Sequence, residues 1–305
     1  MKKLLIFLLL LSSSAMVAES KTNFYESDLF AQMHEGDKAA LLMVHFGTSH
    51  SDTRAKTINA LNTAARTAYP TLEIREAWTS RIIIRIMGKR GEVIPTPLEA
   101  LQQLKKEGYT HVIIQSSNII EGIEMESLRR DVAAMHGEFK DVRVGNPLLY
   151  HTSDYETIAE VIKAKQPSAS ALVLVGHGTY TPSTAQYAMV DYVLNQKGYN
   201  DIHIGTIEGY PTYETMLKNL KKGATKKVTL MPFMFVAGEH AKNDIAEDWS
   251  EQLERDGFTV SVLMEGLGEQ PEIVKLFIDH IKFATQNQMY NIMDKKVGYS
   301  KGETF

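Results

Sequence analysis

Three residues in the second half of this chain have the types and spacing of a metal site. His177 stands in Val175-Gly176-His177-Gly178-Thr179, Glu208 in Ile207-Glu208-Gly209-Tyr210-Pro211, and His240 in Gly238-Glu239-His240-Ala241-Lys242. Each follows a short apolar run and sits beside or near glycine, and 31 and 32 residues separate them. Such runs predict buried strands of a parallel sheet. Parallel strands bring their carboxyl ends to one edge, where open α/β sheets bind ligands. Two imidazoles and a carboxylate suit Co, Fe, Ni or Zn and leave coordination positions open. Singly, His177 reads as a turn residue, Glu208 as a helix-start acid and His240 as the neighbour of a helix cap. Glu239 is adjacent to His240 and could exchange roles with it. The glycines beside His177 let the backbone turn sharply and leave room for something to approach.

The elements that must position these residues alternate along the whole chain. Strands are predicted over Ala39–Phe46, Leu72–Trp78, His111–Gln115 and Val142–Asn146, then over Ala171–Val175, His203–Ile207, Val228–Phe235 and Thr259–Met264. Between them run amphipathic helices: one from Asp52 or Thr53 to about Ala68, then Leu98–Glu107, Glu126–Met135, Tyr155–Lys165, Thr184–Gln196, Tyr213–Lys221, Asp244–Asp256 and Pro271–Ala284. Alternation of this kind predicts an α/β fold with parallel sheets flanked by helices. The two halves also resemble each other. VHFGTS (44–49) matches VGHGTY (175–180), and the stretch 112–132 matches 228–249 with Gly122 on Gly238. The expectation is two similar lobes, 36–150 and 151–284, with a single crossing near residue 150 and the metal-site residues in the second. Phe46 then occupies the place of His177, and Glu124 that of His240. A short helix or lead-in is expected around Phe24–Met33, and the polar tail 285–305 reads as frayed.

Composition narrows the partners. A net charge of −4 gives no reason to expect nucleic acid. With no cysteine, thiolate catalysis, cysteine-based metal binding and disulfides are excluded. Lys2 and Lys3 precede the apolar run Leu4–Leu11 and the small-residue stretch Ser12–Ala18, so residues 1–20 read as a secretory signal peptide. Cleavage is placed after Ala15, Ala18 or Ser20, and the mature protein is expected in an exported compartment, the periplasm in a bacterium, without a membrane anchor. No P-loop, no G-x-G-x-x-G after a strand and no complete G-x-S-x-G elbow is present. The stretch from Thr79 to Arg90 carries four cations and five large apolar residues. It reads either as a lid for a flat aromatic substrate rimmed with carboxylates or as an amphipathic helix with a solvated basic face.

Taken together, LLMVHFGTS, AWTSRIIIRI with TPLEAL, VIIQSSNIIEG, LVGHGT, IGTIEGYP and LMPFMFVAGEHAKNDIAEDW resemble the anaerobic sirohydrochlorin cobaltochelatases of the CbiK family, in the class II chelatase group that includes ferrochelatase. The resemblance covers about residues 39–284. It implies two lobes with an active-site cleft between them, metal-ligand roles for His177, Glu208 and His240, and catalytic roles for His177 and His240. The reaction implied is insertion of a divalent metal, Co2+ first and Fe2+ or Ni2+ as alternatives, into sirohydrochlorin or a related tetrapyrrole with loss of two protons. No organic cofactor is required. Arg54, Arg81 and Arg85 are weaker candidates for the substrate carboxylates. The export signal departs from the usual cytosolic pattern, so a tetrapyrrole, haem or metal carrier, or an iron chelatase, using the same cleft stands as the alternative. Haem association and a homo-oligomer are left open.

Overall fold

The computed structural model describes residues 23–238, 245 and 247–303. Two compact units emerge, Asp28–Gln286 and a smaller one built from the two chain ends.

In the larger unit the chain first builds a four-stranded parallel sheet. Strand β2 (Ala39–His45) is central, flanked by β3 (Glu73–Trp78) and β4 (His111–Ser116), with β5 (Asp141–Val144) at the edge. The second sheet repeats the plan. β6 (Ala171–Gly178) lies between β7 (Ile202–Glu208) and β8 (Lys227–Pro232), with β9 (Thr259–Val262) outermost. The strand orders β3-β2-β4-β5 and β7-β6-β8-β9 are the same pattern, so the expected two similar lobes are present. β2 and β6 are apolar without alternation because both their faces are covered.

Helices supply the cover. One face of the first sheet packs Ala40, Leu42 and Val44 against α4 (Pro97–Lys106) and α5 (Ile123–Ala133). α4 starts sharply because Thr96 and Glu99 form a capping box around Pro97. In the second lobe, Ala171, Val173 and Val175 pack against α8 (Tyr213–Leu220), Trp249 and Leu253 of α9 (Ser250–Arg255). The remaining faces share one large core. It joins α2 (Ile58–Ala68), α6 (Thr152–Lys165), α7 (Ala185–Gln196) and α10 (Pro271–Gln286). α9 is the α-helical part of the helix expected over 244–256, preceded by π-helical residues at 245 and 247–249; residues 239–244 and 246 lie outside the described residues.

Three expectations need correction. The first helix is broken into α1 (Ser51–Lys56) and α2 at Thr57, whose hydroxyl donates to the Thr53 carbonyl at 2.7 Å. Such back-bonding competes with the helical ladder and bends it. Second, α10 does not stay with the second lobe. It packs on α2, β4 and β5 as well as on α6, so the chain crosses between lobes twice. The cause is its apolar stripe Ile273, Phe277, Ile281 and Ala284, which closes the open face of the first sheet. Arg143 fixes the end of α10. It is buried, pairs with Asp141 at 2.7 Å and donates to the Ala284 carbonyl at 3.3 Å.

Third, the described residues near both chain ends form regular structure. β1 (Phe24–Glu26) pairs antiparallel with β10 (Asn287–Met289), and α11 (Ile292–Ser300) follows. Asn291 caps α11 by accepting from Met293 N at 2.9 Å, and Tyr25 lies 4.8 Å from Tyr290, ring centre to ring centre. The lead-in is thus a strand followed by a single 3-10 turn, Phe30–Gln32, which Asp28 begins by accepting from Phe30 N and Ala31 N. The tail forms a strand only because a partner distant in sequence completes it. Residues 1–20, read as a signal peptide, lie outside the described residues. Among the described residues no helix is long and apolar enough to cross a membrane.

Candidate active site at the strand ends

His177 and Glu208 stand at the carboxyl ends of neighbouring strands. β6 and β7 stay in register to their last residues, with Gly176 opposite Thr206 and Gly178 opposite Glu208. Both glycines around His177 are required by what lies against them. A Cβ on Gly176 would come within 2.5 Å of the Tyr187 ring. Gly178 has φ +86°, and a Cβ there would lie 1.6 Å from the Glu208 carbonyl oxygen. The room expected for an approaching group is therefore filled from within, by Tyr187 and by the backbone of β7. Tyr187 is buried, its hydroxyl accepts from Gly178 N at 3.3 Å, and burial pushes its pKa up to about 12.

His177 is half-buried, with Nδ1 3.4 Å from the Gly178 carbonyl. A proton on Nδ1 would leave Nε2 for a metal. The Glu208 carboxylate raises the pKa of the Tyr180 phenol. Among the described residues no group of three or more histidine and carboxylate side chains is placed to hold a metal ion. His240, the third member of the expected set, and Glu239 beside it lie outside the described residues.

The strand ends of the first lobe meet those of the second. The His45 ring stacks near Phe235 at 6.2 Å between centres. Glu121 N donates to the Gln186 side chain at 2.8 Å, and Ser183 Oγ donates to the Glu121 carbonyl. Thr79 N and Ser80 N donate to the His45 and Phe46 carbonyls, at 2.9 and 3.2 Å, so α3 (Arg81–Lys89) begins at this same edge. Of the two readings for the stretch 79–90, the structure has the amphipathic helix. Met87 is buried and Ile83 and Ile84 pack inward, while Arg81, Ile82 and Arg85 are exposed. Arg54 is already engaged. It pairs with Glu92 at 2.7 Å and Glu76 at 3.2 Å, and its guanidinium lies 4.7 Å from the Trp78 ring. A cation so committed is a wall element, leaving Arg81 and Arg85 as the available cations of the three.

Sequence reading overlooked two features here. Tyr180 is one; the Glu208 carboxylate, 28 residues on in the chain, raises its phenol's pKa. The other is His45, one residue before the counterpart of His177. It is buried, with Nδ1 2.9 Å from Ser117 Oγ and Nε2 3.0 Å from Asn62 Oδ1. Asn62 Nδ2 donates to Glu76 at 2.5 Å, so Asn62 Oδ1 must accept and His45 Nε2 carries the proton. His45 is the neutral tautomer, and burial lowers its pKa. The polar side chains at those positions, not any motif, were the available signal.

Two surface hollows lie away from this edge. One, of about 620 Å³, runs along α1 and α2, and one of about 490 Å³ lies beside β8 and β9. Neither includes His177 or Glu208.

The family model for Cobalt chelatase (CbiK) matches residues 39–286. The chain belongs to the CbiK cobalt chelatase family. It is a metal chelatase, a lyase. Among curated relatives, the sirohydrochlorin cobaltochelatase of Salmonella typhimurium is 35% identical over 252 residues, covering 80% of this chain and 95% of the relative. The sirohydrochlorin cobaltochelatase CbiKC of Nitratidesulfovibrio vulgaris is 32% identical over 257 residues, covering 81% and 90%. Among solved structures, SirB from Bacillus subtilis with Fe3+ superposes with TM-score 0.58 at 14% identity, covering 81% of this chain and 96% of that one. The sirohydrochlorin chelatase SirB of Bacillus subtilis subspecies spizizenii in complex with cobalt gives TM-score 0.55, also at 14% identity, covering 81% and 95%. At that identity the structural likeness shows the chelatase fold of two similar lobes. This CbiK-family match stops at Gln286, where the unit of chain ends takes over.

Proposed function

We propose that this CbiK-family enzyme inserts Co2+ into sirohydrochlorin or a closely related carboxylated tetrapyrrole. The observation that carries the reading is the register of β6 and β7, which sets His177 and Glu208 at adjacent strand ends in a chain of this family. The names of the relatives support the choice of metal and substrate. In the reaction, M2+ replaces two pyrrole N–H protons, and the four ring nitrogens become its ligands. His177 and His240 hold the incoming ion, and Glu208 completes the set and balances charge. His177 accepts a pyrrole proton as the ion leaves it for the ring. Arg81 and Arg85 on α3 pair with substrate carboxylates, since exposed guanidinium groups at this edge suit bidentate pairing. Fe2+ and Ni2+ fit the same donors, so availability selects among the metals.

Export belongs to the same proposal: residues 1–20 direct the protein out of the cytoplasm, and the N-terminal residue of the protein recovered from cells tests it. Chelation is tested by visible absorbance with purified protein, sirohydrochlorin and Co2+. Turnover beyond one equivalent is expected, and it should be lost in His177→Ala. A spectral shift that stops at one equivalent would instead make the protein a tetrapyrrole carrier.

A further inference from the structure

The segment from Ser183 to Tyr187, where α7 begins, joins the loops that carry His177 and Glu208 to the first lobe. Tyr187 backs the His177 turn, its ring against Gly176 and its hydroxyl accepting from Gly178 N at 3.3 Å. The Thr184 hydroxyl holds the Glu208 loop, donating to the Tyr210 carbonyl and accepting from Tyr210 N, both at 2.8 Å. Ser183 and Gln186 reach across to the first lobe. Gln186 Oε1 accepts from Glu121 N at 2.8 Å, its Nε2 donates to the Leu149 carbonyl, and Ser183 Oγ donates to the Glu121 carbonyl. Glu121 and Leu149 stand in the loops that follow β4 and β5. Those loops are themselves joined, with Leu148 N and Leu149 N donating to the Asn118 and Ile119 carbonyls, both at 2.9 Å. A primary amide presents an acceptor and a donor side by side. In Gln186 both are engaged by first-lobe backbone, while the Glu121 side chain is taken up by Arg129 at 2.7 and 3.1 Å.

We infer that Gln186 is a positioning residue for the tetrapyrrole: its amide fixes the first-lobe loops at a set distance from the edge that carries His177 and Glu208. The inference rests on the proposed metal role of His177. The proposed metal ligands all belong to the second lobe, whereas Arg81 and Arg85, proposed to pair with substrate carboxylates, belong to the first. Insertion therefore needs the two lobes held in register, so that a ring gripped by one meets the ion held by the other. Gln186 does this from the position next to Tyr187, the residue that backs the His177 turn. A displacement of about 1 Å between ring and ion costs on the order of 100-fold in rate. Gln186 touches neither the ring nitrogens nor the ion, so its loss acts on ring placement and leaves metal capture alone.

The test uses the full-length protein. Gln186→Met keeps side-chain length and helix propensity and removes both hydrogen bonds. It should lower kcat/KM for Co2+ insertion into sirohydrochlorin about 10- to 100-fold. The Kd for Co2+ alone, titrated against a chromophoric chelator, should stay within about twofold of the parent. Gln196→Met, the same replacement at the exposed far end of α7, should leave both values unchanged. Because the chain has no cysteine, spin labels can be attached through Arg130→Cys on α5 and Lys218→Cys on α8, both exposed and one in each lobe. The distance distribution between the labels should be broader in Gln186→Met than in the parent, which a loss of stability alone does not produce. Ser183→Ala removes one bond to the same peptide and should move both readouts the same way by less. Parent-like kcat/KM in a folded Gln186→Met protein overturns the inference, and so does a loss with an unchanged distance distribution. An equal loss of Co2+ affinity would place the effect at the metal edge and overturn it as well. If His177→Ala binds Co2+ like the parent, the metal role of His177 falls, and this inference with it. A defective His177→Ala beside a parent-like Gln186→Met refutes the inference alone.

Discussion

Gly178→Ala separates the contribution of strand approach from that of backbone conformation. At φ +86°, an alanine pays about 1–2 kcal/mol for a left-handed conformation. Gly198, at φ +77° past the end of α7 with nothing within 4 Å of a Cβ, carries the same conformational cost and no contact. Gly198→Ala should therefore lower Tm by only a few degrees, about 2–4 °C per kcal/mol for a chain of somewhat smaller size. Gly178→Ala adds a Cβ 1.6 Å from the Glu208 carbonyl oxygen. To restore even a 3.0 Å contact, the ends of β6 and β7 must move apart by about 1.4 Å. A displacement of about 1 Å in a reacting constellation costs on the order of 100-fold in rate. The expected result is loss of at least about 100-fold in Co2+ insertion, beyond anything seen in Gly198→Ala, with both proteins still cooperatively folded by thermal melt. Parent-like insertion rates in a folded Gly178→Ala protein would refute the claim that this register builds the site.

Four further outcomes follow from the rest of the molecule. Arg143→Ala removes one partner of a buried pair and leaves Asp141 uncompensated, so it should destabilise by about 3–5 kcal/mol in urea melts. Arg130→Ala, from an exposed pair with Glu126, should change stability by no more than about 0.5 kcal/mol. His45, held neutral by burial, has a folded pKa below its unfolded value near 6.5. The unfolded chain then binds more protons below about pH 6.5, and stability present above that pH is lost as pH falls toward the folded pKa. His45→Gln should shallow the acid limb of a stability–pH curve by up to about 1.4 kcal/mol per pH unit, and an unchanged slope would rule out His45 as a contributor. Truncation after Gln286 removes β10 and α11, which lie outside the family match, and should leave kcat for Co2+ insertion within about twofold.

The eight strands of the two lobes were legible because their apolar runs are dense enough to demand cover on both faces, as in Leu41-Leu42-Met43-Val44. Internal similarity also anticipated the shared strand order of the two sheets. What could not be read is pairing that depends on distant partners. The stripe Ile273, Phe277 and Ile281 announces an amphipathic helix but not which sheet it covers, and it went to the first. Asn287-Gln288-Met289 has little strand character of its own and forms one against Phe24–Glu26. Glycine-flanked strand ends also anticipated that His177 and Glu208 stand on neighbouring strands.

The two lobes place different residues at the same point of one scaffold. A glycine of positive φ followed by threonine stands at or just past the end of each central strand, Gly47 at +98° and Gly178 at +86°. In the first lobe the slot over Gly47 is taken by the Trp78 indole, 2.5 Å from where a Cβ would stand, and in the second by the Glu208 backbone. The histidines differ by a single position. His45 comes two residues before its glycine, still inside the pleated strand, and is buried against Ser117 and Asn62. His177 comes one residue before its glycine and is half-buried at the edge. Both faces of β2 are covered, so His45 is in the core whichever way it points, and one step further the chain has left the strand. Phe46, the first-lobe residue at the edge position, is 42% exposed and has no donor atom for a metal. The turn geometry thus occurs in both lobes, and they differ in which residue stands last before the turn and in whether the neighbouring strand ends in a carboxylate.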